Sequence, residues 1–406
     1  WQDKHPIPAE FSTYGAFVEV DDRNEDILHV ILEKAAKDKK ATGIRKQVGD
    51  FYAAGMDEAA LDALGTDPLM GDLTHIDALE NTDALVDLFA QWQAAGLGGL
   101  FGVFIDVDDK ASTEYIAIVQ QGGLGLPDRD YYTRTDEKSV AIQTAYKGHV
   151  ARMLGLLGIP EAQSKADADT IYALEERLAK AHMTLVEQRD PQKVYNKMTQ
   201  EELAAKAPGF PWGRYFQAVG IPAAQAINVR QPGYLTELGK VLGEIPMTTW
   251  KTYLRWTLVH DSSSYLPARF VDESFAFYGT TLTGAEKLRA RWKRVLAQTD
   301  GALGEALGQL YVEKAFPPAA KKRMLALIED LKAALSERID AVDWMGAETK
   351  AKGKKKIDTL LVKVGYPDTW RSYDGLVTNR GTYLANARAA TVFEFQRNLR
   401  KLGKRV

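Results

Sequence analysis

Histidines are the residues of this chain best suited to hold a catalytic metal, but their spacing does not favour it. A helical zinc site needs two imidazoles four residues apart, because both must reach one ion from adjacent turns. His182 precedes Glu187 by five residues, which places the two side chains on diverging helical faces. A site built from distant residues stays open, although no spacing supports one. We therefore predict neither a catalytic residue nor a metal ligand in this chain, and we expect each histidine to be structural. The six histidines are His5, His29, His75, His149, His182 and His260.

A second candidate for chemistry is the run from His260 to Ser264, which contains the three residue types of a serine triad. Direct neighbours do not form that geometry, since the base must lie between the nucleophile and the carboxylate. A polar helix end with capping serines is the favoured interpretation. Cysteine is absent, which excludes thiolate catalysis, disulfides and cysteine zinc sites. No pair of carboxylates stands out as an acid and base couple.

Two glycine-containing stretches invite functional interpretations that their context does not support. Gly96–Gly102 follows a predicted helix and precedes a predicted strand, which is the reverse of the order that cradles a dinucleotide phosphate. Gly304 and Gly308 lie one helical turn apart, and close packing of helices explains this spacing better than dimerisation in a membrane. Neither stretch predicts a binding site.

The most basic stretch is Lys350–Lys356, and it is the basis of a nucleic-acid-binding hypothesis. This hypothesis is weaker than the two that follow from the family resemblance below. A phosphate-binding patch would normally have more arginine and nearby aromatic rings for stacking. The formal net charge of -3 also argues against a polyanionic partner. We therefore expect no nucleic-acid partner and interpret the stretch as a solvated helix face.

The chain is long enough to form two or three domains, and their helices and strands would position any functional site. Its 406 residues are 45% hydrophobic and 26% charged, which is typical of an ordered globular protein. No apolar run approaches the roughly 20 residues that cross a bilayer, so no membrane span is expected. The sequence starts at Trp1 without a methionine, which suits a processed, exported protein and a sequence trimmed for expression equally well.

The periodicity of apolar residues predicts a mainly α-helical fold with one small β-hairpin and few short strands. Residues 1–24 are predicted to form an extended N-terminal arm because prolines restrict its backbone, with Asn24 as the cap of the first helix. The hairpin pairs Phe101–Val107 with Glu114–Gln121, whose aromatic and β-branched residues favour strands. From about Asp136 onward the pattern is helical almost throughout.

Glycine, proline and capping residues mark where elements begin and end. A short helix is expected from Asp57 to Gly65, the latter a typical residue after a helix C-terminus. Thr199–Glu202 fits a capping box. Gly122–Pro127 is predicted to be a loop, and Ala207–Pro211 a turn between helices.

The last quarter of the chain carries a long apolar stripe. A helix should begin at Pro317-Pro318, and a buried core face is the favoured interpretation of its stripe over a coiled-coil seam. A short strand is predicted at Val362–Gly365 and a last helix at Thr382–Leu402. The stripe comprises Met324, Ile328, Leu331, Leu335, Ile339 and Val342.

A set of short phrases occurs in a fixed order along nearly the whole chain. The phrases are Pro6–Ala9 with Tyr14–Phe17, Val48–Tyr52 with Gly55–Asp57, Gly122–Tyr132, Arg189–Pro191 with Tyr195–Met198, Phe275–Gly279, Gly304–Val312 and Val364–Asp368. In content and order they resemble the neprilysin and endothelin-converting-enzyme family of zinc metallopeptidases, especially its bacterial oligo-endopeptidase branch. Any one phrase is modest evidence, but the ordered set is highly specific.

This resemblance implies two largely helical domains around a chamber that admits only small peptides. In the family, the C-terminal domain binds zinc through H-E-x-x-H and a downstream glutamate, and none of these residues has a position in this sequence. Residues 25–364 would then form the helical cap domain that encloses the chamber. Residues 365–406 would form the connection toward a catalytic zinc domain absent from this chain.

The expected function is therefore that of the N-terminal cap region of a zinc-dependent endopeptidase, which restricts the size of its oligopeptide substrates. The zinc belongs to the complete enzyme, and this chain alone is expected to bind none and to be inactive. Its partner would be a C-terminal catalytic zinc domain, in the same gene product or in a separate chain. An exported, periplasmic or cell-envelope location is expected. The alternative is a non-catalytic helical protein that captures peptides.

One substrate-binding residue follows from the resemblance. In neprilysin itself, the segment similar to residues 12–21 supplies an arginine and an aspartate near the C-terminal side of the substrate. Thr13 and Val18 occupy those positions here, and only Phe17 matches among the residues that line the site. Without an arginine fork for a free carboxylate, the sequence predicts an endopeptidase rather than a dipeptidyl-carboxypeptidase.

Overall fold

The computed structural model describes residues 6–11 and 13–406, so the start at Trp1 and His5 lie outside the described residues. The described chain is mainly helical, with one small sheet, as predicted. Its helices are α1 (Ala16–Lys37), α2 (Gly43–Met56), α3 (Glu58–Leu64), α4 (Met70–Asp77), α5 (Thr82–Ala95), α6 (Asp130–Thr133), α7 (Glu137–Leu156), α8 (Glu161–Ala181), α9 (Gln200–Lys206), α10 (Trp212–Val219), α11 (Pro232–Glu244), α12 (Met247–Ser262), α13 (Ala268–Ser274), α14 (Arg291–Ala315), α15 (Pro318–Ala341), α16 (Ala347–Asp358) and α17 (Tyr383–Leu399). A π-helical turn, Phe275–Thr281, directly follows α13.

The sheet has four strands in the order β1-β2-β4-β3. The strands are β1 (Phe101–Asp108), β2 (Ala111–Gln121), β3 (Lys197–Met198) and β4 (Ile227–Val229). The predicted hairpin is confirmed, since β1 and β2 pair antiparallel, whereas β2 and β4 pair parallel. The side-chain amide of Gln93 in α5 exchanges two 3.0 Å hydrogen bonds with the backbone of Val103. This amide therefore pairs with backbone N–H and C=O groups on the edge of β1 that no neighbouring strand covers.

Local capping signals predicted several helix ends correctly. Asp57 accepts a hydrogen bond from the backbone of Ala60, and Gly65 ends α3 with a positive φ of 57°. Thr199 and Glu202 form the expected reciprocal capping box at the start of α9. These signals succeed because they depend on groups a few residues apart.

The first helix begins earlier than predicted. Helix α1 starts at Ala16, so the extended segment is shorter than 1–24 and Asn24 is not a cap. The Asn24 side chain instead accepts a 2.9 Å hydrogen bond from the hydroxyl of Tyr311. A tertiary partner of this kind removes the competition between an asparagine side chain and the helical backbone.

Contacts divide the chain into two compact units that do not follow the linear order of the sequence. Unit 1 contains the residues up to Gly15, Ala54–Ala290 and Val377–Val406. Unit 2 contains Ala16–Ala53 and Arg291–Leu376.

The core of unit 1 is rich in aromatic side chains. Phe101 at the start of β1 lies against three rings from the α9–α10 region, with ring centroids 5.4 Å from Phe210, 5.3 Å from Trp212 and 4.9 Å from Tyr215. Such clusters bury large apolar areas and fix ring orientations. The largest side chains of this unit with less than 2% exposure are Tyr146, Trp212, Tyr215, Phe216, Tyr234, Trp250, Trp256, Phe270 and Phe277.

Unit 2 is built on the packing of α1 against α14. His29 stacks on Trp292 with a centroid distance of 4.1 Å and an angle of 7° between the planes. Lys293 forms ion pairs with Asp22 at 2.7 Å and with Glu25 at 3.3 Å. These contacts hold the two helices together along one face.

Two predictions for the last quarter of the chain are wrong. The stripe of α15 is not a buried core face, since the helix has no buried residue and Leu331 is 60% exposed. Residues 362–365 are not a strand but irregular backbone. Periodicity shows which side chains share a face, whereas burial needs a second element to cover that face. Within the described chain, α15 packs mainly on α16.

Candidate functional site

The described histidines do not form a group that could hold a metal ion. His182 lies 3.0 Å from the carbonyl oxygen of Gly122 and meets the Tyr234 ring edge-on at 4.6 Å. Burial lowers the pKa of His182 to about 4, so the ring is neutral at neutral pH. The carboxylate of Glu187, five residues further along, accepts hydrogen bonds from Thr184 instead of approaching His182.

The run after His260 forms a polar helix end, as expected from its sequence. The Ser263 hydroxyl donates to the backbone carbonyl of His260 at 2.8 Å. The carboxylate of Asp261 accepts a hydrogen bond from the backbone N–H of Gly98. His260 does not bridge a serine hydroxyl and a carboxylate as the base of a triad would, because its buried Nδ1 atom has no hydrogen-bond partner.

The lysines of Lys350–Lys356 serve mainly to tie helices together. Lys350 donates to the carbonyl of Asp340 at 2.7 Å, and Lys354 pairs with the carboxylate of the same residue. Lys352 pairs with Glu348 one turn away at 2.7 Å. Solvated, paired lysines fit the helix-face interpretation better than a phosphate-binding patch.

The glycine-rich loop Gly122–Pro127 of unit 1 is held by tyrosine side chains. Three tyrosine hydroxyls donate to three of its backbone carbonyls. The bonds run from Tyr234 to Gly122 at 2.9 Å, from Tyr253 to Gly123 at 3.2 Å and from Tyr278 to Gly125 at 2.8 Å. Buried carbonyls without partners would be costly, and these hydroxyls remove that cost.

Glu175 on α8 is the polar centre beneath this loop. Its Oε2 atom accepts hydrogen bonds from the hydroxyls of Tyr132 at 2.8 Å and Tyr146 at 2.7 Å, and its Oε1 atom accepts from the Trp256 indole at 3.2 Å. The backbone N–H of Gly125 is a further donor. The residue is 1% exposed. Four donors converge on one buried carboxyl group and connect the loop to three helices.

Burial raises the pKa of the Glu175 carboxyl to about 7, and the hydrogen bonds from its neighbours oppose this rise. A carboxyl whose two oxygens both accept from protein donors is fixed in place. This arrangement suits a residue that positions the loop rather than one that exchanges protons with a substrate.

A small cavity of about 80 Å³ lies beside Glu175, bordered by Asp261, His260 and the loop backbone. It is large enough for a few water molecules. Burial raises the pKa of Asp261 to about 6. A pocket of a size that holds substrates is several times larger, so this cavity is a structural feature of the core.

Sequence reasoning missed Glu175, although a signal was present. Ile171, Leu174 and Leu178 are buried on one face of α8, and Glu175 lies on that same face. A glutamate among buried apolar positions requires hydrogen-bond partners. The positions of those partners, on α6, α7 and α12, are not visible in the sequence.

The predicted substrate-binding residue lies on the surface. Phe17 is in the first turn of α1 and is 89% exposed. Thr13 is also exposed, whereas Val18 is half-buried.

Comparison with known proteins identifies the family. The sequence model for the N-terminal region of peptidase family M13 matches residues 1–367. The chain belongs to peptidase family M13.

Among M13 relatives of known structure, zinc metalloprotease Zmp1 of Mycobacterium tuberculosis is 36% identical to this chain, with a TM-score of 0.93. The match covers 100% of this chain and 62% of Zmp1. PepO from Lactobacillus rhamnosis HN001 is 20% identical with a TM-score of 0.83, which shows a shared fold. Endothelin-converting enzyme-like 1 of Rattus norvegicus is 28% identical over 430 residues, covering 100% of this chain and 55% of that protein. The chain thus spans about half the length of the curated relatives it matches.

The zinc that the family implies has no fitting donor set in the described part of this M13 chain. No group of three or more histidine, aspartate or glutamate side chains within residues 6–11 and 13–406 is arranged to hold a metal ion. Over the same residues, no helix combines the length and the apolar character needed to cross a membrane.

Unit 2 of this M13 chain exposes a continuous apolar surface. Along one face of α15, Met324 is 41%, Leu327 48%, Leu331 60% and Leu335 47% exposed. Leucines and a methionine at this spacing line a single helical stripe. Exposed apolar patches of this kind mark surfaces that contact another protein surface. We call these four residues the α15 stripe.

Proposed function

We propose that this chain is the N-terminal cap region of a zinc-dependent endopeptidase that hydrolyses oligopeptides. Membership of peptidase family M13 and the likeness to the zinc metalloprotease Zmp1 support the reaction class. The coverage of its relatives supports a role as part of a longer protein. As a cap, the chain would exclude folded proteins from the site, since enclosure is a common way to sequester hydrolysis. We also propose an exported, periplasmic or cell-envelope location, which the family resemblance favours.

The α15 stripe is the single structural observation that carries this proposal. This helix of 24 residues packs mainly on α16 and has no buried residue, so one apolar face stays open to a further partner. We propose that the C-terminal catalytic zinc domain covers it, because the relatives extend well beyond the length matched here. Zinc would be bound by residues of that domain, consistent with the missing donor set in the described part of this chain.

The first test compares residues 1–406 with the complete protein. We expect the complete protein to bind zinc stoichiometrically and to cleave oligopeptides, and residues 1–406 alone to do neither. Metal content by mass spectrometry and cleavage of an internally quenched peptide measure the two properties. A complete protein that binds oligopeptides without cleaving them, at full zinc occupancy, would favour the alternative of a helical peptide-binding protein. Cleavage by pure residues 1–406 would refute the proposal.

Phe17 offers a test of substrate binding in the complete protein. Replacing Phe17 with alanine is expected to raise KM about tenfold with kcat nearly unchanged, because burying an aromatic ring contributes roughly 1.5–3 kcal/mol in ground and transition states alike. The increase should be equal for peptides with free and amidated C-termini, since Thr13 provides no arginine fork for a carboxylate.

Val30 provides a matched control on the same helix. It is an exposed apolar residue, 56% accessible, several turns beyond Phe17. Val30→Ala should leave both KM and kcat unchanged. A strong preference of the unaltered protein for free carboxylates two residues beyond the cut would contradict the assignment as an endopeptidase.

A further inference from the structure

Two histidines of unit 1, the buried His149 and the partly exposed His260, share the same aromatic surroundings. His149 on α7 and His260 on α12 both lie against Trp256, with centroid distances of 5.6 Å and 5.0 Å. Both also lie against Tyr278, at 5.4 Å and 5.2 Å. Neither ring is needed for the cap function proposed above.

Each of these rings has one buried nitrogen without a hydrogen-bond partner. His149 Nδ1 lies 2.8 Å from the carboxylate of Glu273, so Nδ1 carries the hydrogen and Nε2 is bare. His149 Nε2 and His260 Nδ1 are both buried and without a partner. A proton added at either nitrogen would create a buried N–H group without an acceptor, which is costly.

The π-helical turn Phe275–Thr281 closes over His149. Phe277 stacks on the imidazole at 5.0 Å with an angle of 10° between the planes, while the next residue, Tyr278, meets it edge-on. Tyr278 also reaches the carbonyl of Gly125 at 2.8 Å. π-helical segments are rare and their geometry is less favourable than that of an α-helix. The turn is held by its contacts with the two histidines and the loop, and by the packing of Phe277 on Tyr146 in the core.

We propose that His149 and His260 form an acid-sensitive latch, in which protonation of the two rings opens the turn Phe275–Thr281 and withdraws Tyr278 from Gly125. The opening is local. Glu175 keeps its partners on α6, α7 and α12, because none of them belongs to the turn.

The charged groups around the two rings determine the direction of the response. Glu273 on α13 favours a charged His149, while the guanidinium of Arg152, 2.9 Å from the same carboxylate, opposes it. His260 Nε2 lies 4.0 Å from Asp261, and Glu175 borders the same small cavity as these two residues.

Burial outweighs these charges for both rings. It lowers the pKa of His149, and it lowers the pKa of His260 to about 4, with the neighbouring His149 acting in the same direction. An exposed histidine titrates near 6.5. The closed turn therefore binds fewer protons than the open turn, so opening is favoured as the pH falls from about 6.5 toward 4 and is unaffected above 7.

Hydrogen–deuterium exchange of the full chain at pH 7 and pH 5, corrected for intrinsic exchange rates, tests the latch. His260 alone, with a pKa of about 4 when closed and 6.5 when open, predicts a loss of protection on the order of 20-fold for amides of 275–281. Protection in α14 should not change with pH. Equal protection of the turn at both pH values would overturn the proposal.

Variants separate the latch from general acid sensitivity. The double variant His149→Gln, His260→Gln should retain full protection at pH 5, because glutamine does not titrate in this range. If the double variant does not fold, His260→Gln alone should remove most of the pH response. The exposed His75, replaced by glutamine, is the control and should leave the response intact. An unaltered loss of protection in the His260 variant would refute the latch. These outcomes do not depend on peptidase activity.

Discussion

Replacing Glu175 with alanine is expected to lower the free energy of unfolding of unit 1 by at least about 3 kcal/mol. The substitution leaves the hydroxyl of Tyr146, the indole N–H of Trp256 and the N–H of Gly125 without their acceptor in the core. Each unsatisfied buried donor costs about 1–3 kcal/mol, and the cavity left behind adds to the loss. Chemical denaturation followed by circular dichroism measures the change.

The adjacent Glu176 is the matched control for Glu175. It lies on the same helix and pairs with Lys180 at the surface, at 2.9 Å. Because surface ion pairs contribute little, Glu176→Ala should change stability by less than about 1 kcal/mol. Equal effects of the two substitutions would show that the hydrogen bonds to Glu175 do not stabilise the fold.

The conservative variant Glu175→Gln reveals the titration of this carboxyl. Burial raises its folded-state pKa to about 7, above the ordinary value near 4.3. The folded state therefore binds the proton more tightly, so the contribution of this group to stability is fully present below about pH 4 and is lost as the pH rises through 7. Relative to Glu175→Gln, the unaltered protein should become less stable from pH 5 to pH 8. A stability difference that does not vary with pH would contradict the raised pKa.

Replacing Gly239 with alanine should be the second most damaging change. Gly239 lies in α11, and a Cβ atom there would lie 2.1 Å from the backbone oxygen of Pro208. On the opposite side of the same contact, Gly209 has a φ of 96°, and its Cβ would lie 2.5 Å from the backbone oxygen of Gly239. The two backbones approach too closely for any side chain. Since backbone atoms cannot rotate away, we expect a loss of about 3 kcal/mol.

Gly243 gives an internal control for helix propensity. It lies in the same helix, and a Cβ atom added there would have no heavy atom of a neighbouring element within 4 Å. Alanine there should stabilise the helix by up to about 1 kcal/mol, because alanine is favoured over glycine in helices. Thermal unfolding of both variants should therefore give shifts of opposite sign. A Gly239→Ala protein as stable as the unaltered one would show that the turn at Pro208 can move.

Several features of the fold were accessible from local sequence. The helix ends at Gly65 and Thr199 and the hairpin around β1 and β2 were predicted correctly. The ordered phrases also identified the family, which the match over residues 1–367 confirms. Each of these depends on residue types within a short window or on their order along the chain.

Other features were not accessible because they depend on distant partners. Asn24 has the character of a cap, yet its partner is Tyr311, almost three hundred positions away. Glu175 is recognisable as a buried polar centre only when the fold places the tyrosines of α6 and α7 and the indole of α12 around it. The sequence predicted the loop at Gly122–Pro127 but not the hydroxyls that hold it.

The amino-acid sequence by itself determined the helical class, the element boundaries set by caps and glycines, the family, and the lack of zinc-ligand spacing. Only the tertiary structure decided which apolar faces are buried, which carboxyl lies at the polar centre of unit 1, and that the Phe17 side chain is exposed. The physical reason is that periodicity and capping act over one or two turns of chain. Burial and pKa depend on which elements meet in space, as the uncovered α15 stripe and the enclosed Glu175 show.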